Sequence, residues 1–148
     1  MTTVLRFLFV VLLGFVAACL AAAFALLWPF FNADAAAGAG PIFWIEAGAT
    51  FFAQTMMVGS TAFIPWAIFM VATELLGVRS LLLHAAAGAL GAFAFARLSY
   101  GDMPAASVTM ALVVAGLVFA MVYWLVAGRA AGRWRAEQPD TADRSEPA

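Results

Sequence analysis

At 148 residues, 66% of them hydrophobic and only 10% charged, this sequence is too apolar for a soluble domain, which could not enclose so much apolar surface. A formal net charge of −1 argues against a nucleic-acid partner, and seven basic residues that are all arginine, with heavy alanine use, suggest a GC-rich bacterial genome. One cysteine, Cys19, and one histidine, His84, exclude an intrachain disulfide and a His/Cys metal site within a single chain, so no metal and no cofactor is expected.

Four apolar stretches, residues 4–31, 48–76, 80–98 and 105–127, each reach the roughly 20 residues that a spanning helix needs. The sequence therefore predicts an all-α polytopic membrane protein. Residues 1–135 form its four-helix transmembrane domain, and residues 136–148, polar and proline-containing, form a disordered cytoplasmic tail.

Arg6 opens the first span. The run Val16-Ala17-Ala18-Cys19 resembles a lipoprotein signal, but the apolar stretch continues well past Cys19, so an uncleaved helix is expected. Trp28-Pro29-Phe30-Phe31 should end it at the headgroup layer, after which Asn32 begins a small, glycine-rich connection. Residues 42–46 either lie along the interface or extend the second helix.

The second span is longer than a perpendicular crossing and should tilt, protrude or bend at Pro65. Gln54, Thr61 and Pro65 share one face of it, which more often marks packing between helices than a path for substrate. Residues 76–80 read as a tight hairpin, with Gly77 in a left-handed cap and Ser80 capping the third helix. The third span then carries Ala87, Gly88, Gly91 and Ala92, a strip that another helix can approach closely. Arg97 closes that span, Asp102 and Pro104 suit the start of the fourth, and Tyr123 and Trp124 read as interfacial anchors.

Placing both termini in the cytoplasm leaves Arg6, Arg79, Arg129, Arg133, Arg135 and Arg144 inside and only Arg97 outside, as the positive-inside rule favours. Arg129, Arg133 and Arg135 would then meet anionic lipid headgroups. The expected location is the bacterial inner membrane.

Chemistry concentrates at the hairpin, where Glu74, Arg79 and His84 come within about one helical turn of the bend. Glu74 and His84 could meet there and titrate together, or could serve with Arg79 as a structural clip, which is the more ordinary role. No charged residue continues a proton path through the other spans. Two-histidine haem ligation is impossible within one chain, and the methionines are scattered as apolar filler.

Glu74, the Arg79-Ser80 pair, His84 and Gly88 together resemble a pattern in small uncharacterised four-helix inner-membrane proteins of bacteria, a resemblance that implies topology and no activity. Small multidrug exporters also have four short spans but carry their membrane glutamate in the first helix, where this chain has no acid. The expected role is non-catalytic: an accessory, assembly or structural partner of other membrane subunits or of a second copy. The alternative is a small proton-linked transporter or channel using Glu74 and His84.

Overall fold

A computed structural model of the protein describes residues 2–31, 36, 38–100 and 105–130. Among these, four helices are long and apolar enough to cross a membrane. They are α1 (Thr2–Leu27), α2 (Pro41–Leu76), α3 (Leu81–Tyr100) and α4 (Ala106–Val126), with short 3₁₀ turns at Trp28–Phe30 and Gly128–Ala130. Asp34, Asp102, Pro104, Arg133, Arg135 and the tail lie outside the described residues.

Helix α1 runs unbroken through Cys19, which is buried. Its backbone passes into the Trp28–Phe30 turn, where proline fits an early helical position because its missing N–H would have no helical partner there. The exposed Trp28 stacks on Phe31 with ring centroids 6.1 Å apart and meets Phe24 at 5.3 Å, an aromatic cluster of the kind that suits a membrane surface.

Pro41 likewise stands in the first turn of α2, so residues 42–46 extend this helix rather than forming a separate interfacial segment. At 36 residues, α2 is about 54 Å long at 1.5 Å per residue, against roughly 30 Å of hydrocarbon. Placed across a bilayer, a helix of that length tilts or protrudes. Pro65 does not break the helix, but without an N–H it cannot bond the Thr61 carbonyl, which loses its usual partner in the ladder.

The hairpin between α2 and α3 has the cap that its residues suggest. Gly77, at φ 65° and ψ 27°, is the one described residue in the left-handed region. Its N–H meets the Glu74 carbonyl at 3.3 Å and that of Val78 meets Thr73 at 2.9 Å, so two terminal carbonyls of α2 are satisfied. Ser80 begins α3: its Oγ accepts a long 3.4 Å bond from the Leu83 N–H, and its carbonyl accepts from the His84 backbone.

Helix packing follows an order that the chain order conceals. Close backbone contact joins α1 with α4, α4 with α3, and α1 with α2. By close backbone seams the order is thus α2, α1, α4, α3, while side chains of α2 also reach α3 and α4, with Phe69 on His84 at 5.1 Å and Trp66 on Tyr123 at 5.6 Å. In lipid no hydrophobic force drives helices together, so small residues that allow close van der Waals approach decide which faces meet.

Gly88 of α3 lies against Gly116 of α4. A Cβ on Gly88 would run into the Gly116 carbonyl and stand 2.6 Å from Ala120, and a Cβ on Gly116 would stand 2.6 Å from Ala92. At the α1–α4 seam, a Cβ on Gly14 would stand 3.1 Å from that of Ala127. The core cluster between α1, α2 and α4 is built on Phe15, whose ring contacts Phe63, Trp66 and Phe119 at 5.8, 4.3 and 5.9 Å. Tyr123 belongs to this core, only 4% exposed, and is not an interfacial anchor.

Candidate functional site

The polar residues singled out at the hairpin lie at the ends of the two helices that it joins. His84 sits in the first turn of α3 and is 1% exposed, the largest of the fully buried side chains. Its Nδ1 lies 2.8 Å from the Ser80 carbonyl. A carbonyl only accepts, so Nδ1 carries the hydrogen, and in the neutral ring Nε2 is left as an acceptor. Nε2 is buried without a hydrogen-bond partner, 3.2 Å from where a Cβ on Gly128 would stand. Neither ring nitrogen therefore bonds Glu74. The imidazole is held instead by Phe69, edge-on at 5.1 Å, and by Tyr123, stacked at 6.4 Å.

Glu74 lies half-buried in the last turn of α2. The Trp66 indole N–H is buried without a hydrogen-bond partner, its ring edge-on to Tyr123 at 5.6 Å. Arg79 is exposed in the turn, and its backbone carbonyl accepts a 2.9 Å bond from Trp124 Nε1. This bond ties the hairpin to α4 across 45 residues of sequence. Replacing Trp124 with phenylalanine keeps the ring and removes the donor. The expected result is a loss of about 1 kcal/mol in stability and faster protease cleavage after Arg79, measured on detergent-solubilised protein. Cleavage at the unchanged rate would show that the bond does not hold the hairpin.

Just beyond this same end of α4, Arg129 turns back on the helix, with Nε donating to the Leu125 carbonyl at 2.8 Å. It satisfies a terminal carbonyl there and places its positive charge at the negative end of the helix dipole. Arg97 lies over the Phe93 ring, 5.1 Å from its centroid, one turn away on α3.

Gly88 and Ala92 of the predicted strip on α3 pack against Gly116 and Ala120 of α4, whereas nothing lies within 4 Å of a Cβ built on Gly91. Ala87, Gly88, Gly91 and Ala92 all line a cavity of about 410 Å³ between the helices, as does His84. All four helices contribute to its wall, and among the described residues none of the lining side chains is an acid or an arginine.

The face of α2 that carries Gln54, Thr61 and Pro65 lines this same cavity, so in this chain it does not serve as a seam against another helix. Trp66 and Phe69 continue that wall toward His84. The volume falls within the roughly 300–1,000 Å³ typical of small-molecule sites, and the mix of a mainly apolar wall with a few polar groups is likewise usual for them.

Compared with known protein families, with characterised proteins and with solved structures, the chain matches none of them. Its site must be read from its own geometry. The sequence pointed to His84 and to the small-residue strip, but the cavity between the hairpin helices was not legible. The signal available for it was the polar line Gln54, Thr61 and Pro65, together with a glycine, Gly91, that the α3–α4 seam does not use.

Proposed function

We propose that this protein is a non-catalytic partner in the bacterial inner membrane, assembling with other membrane subunits or with further copies of itself, with both termini on the arginine-rich cytoplasmic side. The observation that carries this reading is the state of α2. It is the longest helix, yet within the chain its backbone packs closely only against α1. An outward stripe of Phe52, Met56, Ile64, Ile68 and Leu75 runs along it, each of these side chains more than half exposed. A helix of this length with an uncovered outward side offers a continuous face to a second membrane helix, which in lipid would be held by packing.

Extraction in a mild detergent tests the reading. The expected result is recovery of the protein as an oligomer or in company with other membrane subunits, with Ile64→Trp and Ile68→Trp weakening the association while the monomer stays folded. A purified monomer that carries solutes or ions across liposomes would overturn it. The transport alternative places Glu74 and His84 in a shared proton step, but neither His84 nitrogen bonds Glu74. Glu74→Gln abolishing a pH-dependent flux in vesicles would restore that alternative.

A further inference from the structure

The outward side of α2 carries a repeat that the fold of a single chain does not use. Gln54, Thr61, Ile68 and Leu75 follow one another at intervals of seven, and Met57, Ile64 and Val71 each stand three residues after one of them. Alternating steps of three and four put all of these on one narrow seam of a helix, the a and d positions along which two helices wind together. The apolar members are half or more exposed, and Thr61 is exposed as well. Phe63, about two and a half turns after Gln54 and so on the opposite side, contacts Phe15 of α1 at 5.8 Å. The seam therefore faces away from α1. From Gln54 to Leu75 it rises about 32 Å, enough to cross the roughly 30 Å of hydrocarbon.

Gln54 indicates what covers this seam. It is half-buried, and among the described residues no hydrogen bond joins its carboxamide to another group. A carboxamide that faces lipid has given up water and needs both a donor and an acceptor in return. A second copy brings both. Copies of one chain insert with the same topology, so two α2 helices meet side by side and parallel about a two-fold axis normal to the bilayer, and a residue at an a position then faces its own counterpart. A helix of different sequence would have to carry its own donor and acceptor at that one level.

We propose that the protein is a parallel homodimer joined along this seam of α2, each Gln54 amide N–H donating to the side-chain carbonyl of the partner's Gln54. The proposal rests on the partner reading above and narrows the partner to a second copy.

The test uses the full-length chain in lipid vesicles, with Cys19 replaced by alanine so that each variant carries one thiol. Gln54→Cys, Thr61→Cys and Ile68→Cys place that thiol on the seam, whereas Phe52→Cys and Met56→Cys place it at exposed positions off the seam. Oxidation should yield disulfide-linked dimers from the three seam variants and not from the other two, because a disulfide needs close and facing Cβ atoms. Energy transfer between copies labelled at the C-terminus reads the dissociation constant. Gln54→Leu, which keeps the bulk and removes the amide, should weaken the dimer about tenfold, the value of two hydrogen bonds between membrane helices. Phe52→Leu should leave it unchanged.

Cross-links from Phe52→Cys and Met56→Cys in place of the seam variants would overturn the proposal, as would a Gln54→Leu protein that dimerises as tightly as the parent. Recovery with other membrane subunits but without any self-cross-link would overturn it and leave the partner reading intact. A chain that stays alone and monomeric in vesicles would overturn both.

Discussion

Gly88→Ala is expected to lower the unfolding free energy in mild detergent by about 3 kcal/mol, while Gly91→Ala, only three residues away, leaves it unchanged or raises it by up to about 1 kcal/mol. The added methyl is the same in both variants, but its surroundings differ. At Gly88 it meets the Gly116 carbonyl and the Ala120 side chain, and a backbone carbonyl cannot rotate aside as a flexible side chain would. The two helices must separate, and every van der Waals contact along their seam weakens together. At Gly91 the methyl enters open space, so only the higher helix propensity of alanine is felt. Equilibrium unfolding of the two variants side by side measures the difference. Equal stabilities would mean that α3 and α4 do not cross at Gly88 and Gly116.

The second large effect is expected at Phe15. Its ring touches Phe63 and Trp66 of α2 and Phe119 of α4, so truncation removes the contact that three helices share. Phe15→Ala should cost about 3–5 kcal/mol, the usual range for a buried aromatic ring. The loss should fall first on α2, whose close backbone seam among the described residues is with α1. Cys19 provides the readout: it is buried on the same helix, with its Sγ 3.6 Å from where a Cβ on Gly59 of α2 would stand. Opening that becomes easier by about 3 kcal/mol raises its reactivity toward a maleimide on the order of a hundredfold. An unchanged labelling rate would show that α2 is held by contacts other than this ring.

The helices themselves were legible in the sequence because hydrocarbon thickness fixes the length of an apolar run and leaves few alternatives. The hairpin was legible for a local reason: Gly77 and Ser80 satisfy backbone groups at a helix end and a helix start, and their effect needs no distant partner. The order of the helices was not legible. A lipid-facing surface and a helix-facing surface are equally apolar, so the sequence does not separate the side of α2 that meets α1 from the side that meets solvent or lipid.

Close approach of small residues was the available clue, and it required matching two stretches rather than reading one. Gly88 and Ala92 are four apart on α3, and Gly116 and Ala120 are four apart on α4, so the two short ridges fit one another. The expectation that His84 could meet Glu74 rested on their similar depth beside the hairpin. The imidazole does reach α2, but at Phe69, and its Nδ1 turns back to the carbonyl of Ser80, four residues behind it.

The position of α4 between α1 and α3 bears on how the protein is made. Translation delivers α1, α2 and α3 before α4, and of these only α1 and α2 share a close backbone seam. The arrival of α4 closes both remaining seams at once. A nascent chain stopped before residue 106 would hold only the first of these seams, with the glycine at position 88 facing lipid until its counterpart at 116 arrives.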